Sequence, residues 1–230
     1  MTSMRLIVGV DLGGTNIVVG AVPEDGSSVH GLATRRTPVA QGPDTVVHAM
    51  VDMIQACIRA TRAQFGSQAE IIGVGIGSPG PLDTQTGVVI LTPNLGWKNF
   101  PLRERISQAA GLPATLDNDA NCAVLGEWWR GAAQGGRVVV GLTIGTGVGG
   151  GIVIDGRLFH GASDIAGEIG HTSIDLNGRR CKCGNYGCIE AYASGPAIAA
   201  RAVEWLDAGA SSQFAKYVNG ALGAIAAQVV

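Results

Sequence analysis

Three cysteines and a histidine in the second half of the chain have the spacing of a metal site. Cys181, Cys183 and Cys188 lie within eight residues, and His171 precedes them in the pattern H-x9-C-x-C-x4-C. Three thiolates and one imidazole can complete a tetrahedral Zn²⁺ site with every position filled by protein, which predicts a structural metal. The alternative is a redox cluster, although the odd total of five cysteines argues against a disulfide framework.

Two glycine-rich segments could bind phosphate, because backbone N–H groups without neighbouring side chains can approach its oxygens, and threonine hydroxyls add donors. Residues 11–16 read DLGGTN and residues 145–151 read GTGVGGG. The predicted phosphate- and nucleotide-binding residues are Asp11, Gly13, Gly14, Thr15, Asn16, Gly145, Thr146 and Gly147. Neither segment is a Walker A loop, and the second runs into a strand pattern, which argues against a Rossmann loop. The alternative is a pair of ordinary hairpin turns.

Asp11 ends the first apolar run, directly before the glycines. A carboxylate beside a phosphate loop is well placed to hold Mg²⁺, directly or through water. The sequence therefore predicts a magnesium ligand at Asp11, with a simple turn-capping role as the alternative.

The composition limits the class of protein and its partners. The chain has 230 residues, of which 46% are apolar and 15% are charged, and this balance excludes disorder. A net charge of −2 gives no electrostatic footprint for nucleic acid or an anionic membrane. The apolar run at residues 6–10 is too short for a signal peptide or a transmembrane helix, so we predict a cytoplasmic protein.

Apolar periodicity predicts alternating strands and helices. The predicted strands cover residues 5–11, 17–22, 71–76, 88–91 and 114–117, and the predicted helices cover residues 45–65, residues 101–110 and a segment from Ala120 to about residue 134. The first two strands form a hairpin. Cys57 and Cys122 lie in apolar helical patterns and are expected in the core.

The start of the chain has a partial repeat. RLIVGVDLGG at residues 5–14 resembles RVVVGLTIGT at residues 137–146, and each copy combines a strand, a turn and a second strand. The repeat predicts two similarly built domains facing each other, over residues 1–116 and 117–230.

Several motifs together resemble the ROK family of bacterial sugar kinases and sugar-responsive repressors, in the actin-like ATPase superfamily. They are VDLGGTN at 10–16, GIGSPGPLD at 75–83, NDANCAVLGE at 118–127, TIGTGVGGGIVIDG at 143–156, GEIGH at 167–171 and CKCGNYGCIEAYAS at 181–194. The resemblance implies an α/β fold of two ribonuclease-H-like (actin-like ATPase) domains with a cleft between them. It also implies ATP- and Mg²⁺-dependent phosphorylation of a hexose, most simply glucose, at its 6-hydroxyl.

By the same resemblance, Asp119 is the general base that takes the proton of the sugar hydroxyl. The residues that would select the sugar are Asn94, Asn118, Asp119, Glu168, His171 and Glu190. His171 would use one ring nitrogen for zinc and the other for the sugar. The residues alone leave open a helix N-cap at Asp119 and solvated carboxylates at Glu168 and Glu190.

The resemblance also raises alternatives. Family members continue past the helix that residues 220–230 resemble into a segment that contacts adenosine, and this chain stops at Val230. A non-catalytic sugar-binding regulator, a truncated remnant and a polyphosphate-using glucokinase therefore remain open. Repressors of the family carry a DNA-binding domain ahead of the first glycine loop, whereas four residues precede Arg5 here, so no nucleic-acid partner is expected. A homodimer is the usual family state.

Overall fold

A computed structural model describes residues 3–213 and 225–227, which form a mixed α/β structure. The strands are β1 (Met4–Leu12), β2 (Asn16–Pro23), β3 (His30–Arg36), β4 (Ala69–Ser78), β5 (Leu82–Asp83), β6 (Val88–Thr92), β7 (Trp97–Phe100), β8 (Ala114–Asn118), β9 (Val138–Ile144), β10 (Val148–Ile154) and β11 (Arg157–Leu158). The helices are α1 (Pro43–Phe65), α2 (Leu102–Ala110), α3 (Asp119–Arg130), α4 (Glu190–Ala193) and α5 (Gly195–Asp207).

The first sheet has the order β3-β2-β1-β4-β8. Strands β1, β2 and β3 form an antiparallel meander, and β4 and β8 run parallel to β1 and to each other. Alternate residues of β1 are buried in one core with α1 and α2, whereas Ile7 between them is 40% exposed, as expected for a strand with one covered face. Helix α1 begins at Pro43, whose fixed φ suits the first helical position.

The second sheet has the order β11-β10-β9 and packs against α3. Two glycines permit this packing, because a methyl group built on Gly141 or Gly151 would lie 2.4 Å or 3.0 Å from Val124 of α3. Four apolar side chains of β9 are exposed by half or more: Val138, Val140, Leu142 and Ile144. We refer to these four residues as the β9 face.

A third, small antiparallel sheet has the order β5-β6-β7 and follows β4. It is anchored by Trp97, which is 2% exposed and stacks on Phe100 with ring centroids 4.3 Å apart. The loop between β6 and β7 carries Asn94 toward the glycine loops, as described below.

The predicted strands and helices are all present, with shifts at their ends. Helix α3 ends at Arg130, not near residue 134, because Gly131 leaves the helical backbone. The prediction that Cys122 belongs to the core is wrong: Cys57 is buried, but Cys122 is exposed, because it lies on the side of α3 that lines a recess with Asp11 and Asp119.

Two further predictions concern the domain boundary and the segment at the end of the chain. Strand β8 spans the predicted domain boundary at 116/117, and the division itself stays a prediction. The helix-like segment 220–230 lies outside the described residues except for 225–227. Among the residues that the structure describes, no helix is long and apolar enough to cross a membrane.

Candidate active site

A cavity of about 440 Å³ brings together most of the residues that the motifs single out. Its lining includes the predicted residues Gly13, Gly14, Asn94, Asn118, Asp119, Gly145, Thr146, Gly147, Glu168, His171 and Glu190. Residues from β1–β2, β6–β7, β8–α3 and β9–β10 therefore meet at one place, although they are far apart in the sequence. Residues of both glycine loops and Asp119 line this one cavity.

The junction of β8 and α3 positions Asp119. Asn118 is the N-cap: its Oδ1 accepts hydrogen bonds from Ala120 N at 2.9 Å and Asn121 N at 3.2 Å. The N-cap is therefore Asn118 and not Asp119, which is the first residue of the helix. Asp119 Oδ1 also accepts from Ala120 N at 2.9 Å, which fixes the carboxylate at a helix N-terminus.

Two carboxylates near this junction have raised pKa values. Burial raises the pKa of Asp119, and the hydrogen bond from Ala120 N only partly opposes this effect. Loss of solvent raises the pKa of Asp11, and the charge of Asp119 raises it further. Both carboxylates line one recess, so they form a pair whose mutual repulsion a cation would relieve.

The first glycine loop is the turn of the β1–β2 hairpin. Gly13 N donates to Asn16 O at 2.9 Å, and Thr37 Oγ1 donates to Gly13 O at 2.6 Å. Three of its predicted residues do not line the 440 Å³ cavity: Asp11, Thr15 and Asn16. Asp11 lines the adjoining recess, Thr15 lines a separate one, and Asn16 is an exposed residue at the start of β2.

The second glycine loop is the turn of the β9–β10 hairpin, and it is held from outside by two contacts. Glu190 Oε2 accepts a hydrogen bond from Val148 N at 3.0 Å, and Gly195 N donates to Gly145 O at 2.8 Å. A methyl group built on Gly147 would lie 2.5 Å from Glu190 Oε2, so the glycine leaves room for this carboxylate. As predicted, the loop leads into a strand rather than a helix.

The cysteines and the histidine of the predicted metal site converge. One ligand atom from each of His171, Cys181, Cys183 and Cys188 lies within 4.8 Å of every other. His171 Nδ1 lies 3.8 Å from Cys181 Sγ, and Cys183 Sγ lies 3.7 Å from Cys188 Sγ. Three sulfur atoms and one nitrogen at this spacing match the donor set of a structural zinc site.

His171 lines the cavity beside Glu168. His171 Nε2 lies 3.9 Å from Glu168 Oε2, so the two side chains that were predicted to contact sugar are neighbours. Gly167 allows this placement, because a methyl group on it would lie 2.5 Å from the carbonyl oxygen of Gly150 in β10. The chain can therefore lie against β10 immediately before Glu168.

Sequence reasoning missed a second layer of polar residues around this site. His160 Nε2 lies 2.8 Å from Asp117 Oδ2, and Thr84 donates from its backbone N and its hydroxyl to the carboxylate of Asp164. The partners are 43 and 80 residues apart, so no local spacing could have indicated them. The one available signal was that Asp117 adjoins the motif beginning at Asn118.

The fold, in which residues of two hairpin glycine loops line one cavity, is that of the actin-like ATPase superfamily, as in the solved ROK kinases that this chain resembles. The ROK family model matches residues 7–228, and the chain belongs to the ROK family. A Streptomyces griseus ROK glucokinase, solved in complex with glucose and AMPPNP, superimposes with a TM-score of 0.78 at 35% identity, covering 97% of this chain and 69% of that one.

Curated relatives include both kinases and repressors. The Thermotoga maritima glucokinase is 42% identical over 199 residues, covering 86% of this chain. The xylose repressor of Caldicellulosiruptor bescii is 36% identical over 184 residues, covering 79% of this chain. The chain spans 60% of the length of that glucokinase and 45% of the length of that repressor.

Proposed function

We propose that this chain carries the active site of an ATP- and Mg²⁺-dependent hexose kinase that phosphorylates the 6-hydroxyl, with glucose as the substrate. The observation that carries the proposal is the single cavity lined by both glycine loops, by Asp119 and by the polar group Asn94, Asn118, Glu168, His171 and Glu190. This combination suits phosphoryl transfer, because its catalysis consists of positioning and of electrostatic stabilisation around an in-line hydroxyl and phosphate.

Asp119 is the proposed general base. Its Oδ1 is engaged by Ala120 N, which leaves Oδ2 for the proton of the sugar hydroxyl. As the hydroxyl oxygen bonds to the γ-phosphorus, the bond to the β–γ bridging oxygen breaks, the proton passes to Asp119, and ADP leaves. The raised pKa of Asp119 makes it a stronger base than an ordinary aspartate, which suits proton abstraction.

The glycine loops hold the donor in this proposal. Gly145, Thr146 and Gly147 of the second loop line the same cavity as Gly13 and Gly14 of the first, where backbone N–H groups of both hairpins would be available to a bound phosphate. Asp11 would hold Mg²⁺, whose charge would offset that of the phosphates. Burial and the charge of Asp119 raise the pKa of Asp11, and a bound cation would oppose both effects.

Sugar selection is assigned to the amide and carboxylate side chains around the cavity. Because Asn118 Oδ1 is used for capping, its Nδ2 is the group left to donate to a sugar hydroxyl. Glu168 supplies acceptors, and His171 would donate from Nε2 when Nδ1 is bound to metal. A metal-bound histidine commonly fixes its tautomer through such an outer contact.

A structural Zn²⁺ bound by His171, Cys181, Cys183 and Cys188 is part of the proposal. The ion would contribute folding energy and rigidity beside the sugar site, and no chemical step passes through it. The close approach of the four ligand atoms supports this role over a redox pair, because all four donors converge on one point. A cytoplasmic location and a homodimer stay predictions.

A coupled ADP-release assay across hexoses tests the kinase proposal. We expect turnover with glucose, and Asp119→Asn should lower kcat by about 10²- to 10⁴-fold while the chain stays folded. Asp52→Asn, on the exposed side of α1, is the matched control and should turn over normally. Equal rates for Asp119→Asn and the control would remove the assigned role of Asp119.

A non-catalytic sugar-binding regulator is the second candidate, because the C. bescii xylose repressor is also similar over most of this chain. Calorimetry that detects glucose binding by a chain without ADP release would favour it. Replacing ATP by inorganic polyphosphate in the same assay distinguishes the polyphosphate-using variant of the kinase.

A further inference from the structure

Side chains of the segment that leads from β11 to Glu168 contact two distant parts of the chain. His160 Nε2 lies 2.8 Å from Asp117 Oδ2 at the end of β8. Asp164 accepts hydrogen bonds from Thr84 N at 3.1 Å and from Thr84 Oγ1 at 3.0 Å, next to β5. Both partners belong to elements that precede α3 in the chain, so the segment bridges to the first sheet and to the small third sheet.

Asp117 contacts residues on both sides of Asp119. Its Oδ1 accepts from Asn118 N at 2.8 Å and from Asn121 Nδ2 at 3.0 Å, and its Oδ2 is the atom that meets His160. Both oxygens of this carboxylate therefore contact the β8–α3 junction or the segment before Glu168. The imidazole and carboxyl side chains are 28% and 21% exposed, so the contact is largely withdrawn from solvent.

Asn121 of α3 also links Asp117 to the segment before Glu168. This residue is 5% exposed, and its Oδ1 lies close to Gly167, where an added methyl group would be only 2.9 Å away. Its Nδ2 donates to Asp117. The proposed base and the proposed sugar ligand Glu168 are therefore linked through Asp117, with His160 at one end of the segment and Asn121 near its other end.

We propose that His160 and Asp117 are positioning residues that set the sugar site, by fixing the segment 160–168 to the β8–α3 junction. This inference rests on the proposed kinase function. The pair places Glu168 and His171 opposite Asn118 and Asp119, so that one sugar ring meets both sets at once. The second glycine loop is held by Glu190 and Gly195, so the position of this loop does not depend on the pair.

Replacement of His160 tests the inference. His160→Ala removes the contact, His160→Asn is too short to restore it, and His160→Gln can still donate to Asp117. We expect the first two variants to raise KM for glucose about tenfold or more, as loss of a partly buried bond to a charged group implies, with KM for ATP nearly unchanged. His160→Gln should recover most of the loss. His48→Ala, at an exposed position of α1, is the matched control.

Hydrogen exchange followed by mass spectrometry gives a readout that needs no turnover. In His160→Ala, amide exchange should increase at residues 160–168 and also at residues 117–121, and it should stay at the control level in the second glycine loop. Unchanged exchange at 117–121 overturns the inference whether or not the chain phosphorylates sugar. Equal increases in KM for glucose and ATP also overturn it. Absence of ADP release by the unmutated chain counts only against the kinase function.

Discussion

The Glu190 carboxylate connects the second glycine loop to the Cys₃His cluster. Its Oε2 accepts a hydrogen bond from Val148 N at 3.0 Å, and Cys181 Sγ lies 3.7 Å from its Oε1. Glu190 thus lies between the proposed donor site and the proposed metal, besides lining the sugar cavity. Its position at the first residue of α4 makes this possible, because the helix starts two residues after Cys188.

Glu190→Ala should weaken donor binding. The variant leaves Val148 N without its charged acceptor, and such a loss costs about 1–3 kcal/mol, which corresponds to roughly a tenfold increase in KM for ATP. Glu190→Gln keeps an acceptor oxygen, so its KM for ATP should lie between those of the unmutated chain and Glu190→Ala. Steady-state kinetics with varied ATP measures the effect, and Glu104→Ala on α2 provides a control carboxylate outside the cavity. A KM for ATP equal to that of the control would contradict the role of Glu190 in holding the loop.

Gly147→Ala and Gly145→Ala form an informative pair. A methyl group at Gly147 would lie 2.5 Å from Glu190 Oε2, whereas one at Gly145 meets no atom within 4 Å among the residues that the structure describes. We expect Gly147→Ala to displace the flexible carboxylate and to lose about 1 kcal/mol of stability with the hydrogen bond to Val148 N. Chemical denaturation measures both free energies of unfolding.

The same pair can be tested for coupling to Glu190. In a Glu190→Ala background, Gly147→Ala should cost less, because the carboxylate that it displaces is already gone. Additive effects in this double-mutant cycle would show that the cost of Gly147→Ala does not come from displacing the Glu190 carboxylate.

The raised pKa of Asp119 predicts how stability depends on pH. At pH values below its unfolded-state pKa, both states are protonated and the group contributes nothing. As the pH rises toward the higher folded-state pKa, the unfolded state loses its proton first, so the folded state becomes progressively less stable. Asp119→Asn removes this penalty and should raise Tm at neutral pH.

Thermal unfolding between about pH 4 and pH 8 tests this sign, with Asp52→Asn as the control for lost charge. The activity of the unmutated chain should decline toward acid at a higher pH than an ordinary aspartate would give, since the base must be ionised. A Tm for Asp119→Asn below that of the control at neutral pH would mean that burial of this carboxylate is not a cost.

Removal of the metal ligands should lower both metal content and stability. We expect about one zinc per chain, with Cys181→Ser and Cys183→Ser reducing it and lowering Tm. Cys122→Ser, which changes an exposed cysteine outside the cluster, should keep the metal. Elemental analysis after dialysis against a chelator measures the number of zinc ions that remain bound per chain. Full metal content in Cys181→Ser would exclude that sulfur as a ligand.

The sequence predicted local features well because their causes are local. The β1–β2 and β9–β10 hairpins follow from apolar runs that end at glycine turns, and α1 follows from apolar spacing after Pro43. Strand β3 was missed, because HGLATRR has little apolar content and forms the edge of the first sheet, where it pairs with β2. Its existence depends on the tertiary structure rather than on its own composition.

The candidate site divides in the same way. Residues within motifs, such as Asp119 and Glu168, could be named from the sequence, and they line the cavity. His160 and Asp164 could not, because each acts through a partner in a distant segment. The alternative role considered for Asp119 was helix N-cap, but the N-cap is Asn118. The sequence could not separate the two residues, because either side chain can accept hydrogen bonds from the first turn.

The exposed apolar residues of the β9 face should make self-association of this chain depend on temperature. Leu142 is 50% exposed, and the other three residues of the β9 face are more exposed. Within the described residues, these apolar side chains form a solvent-exposed strip along the strand. Attraction between such strips grows on warming and in sulfate salts. Copies of this chain should therefore cluster when heated below their unfolding temperature, as light scattering can follow, and Leu142→Lys should suppress the clustering.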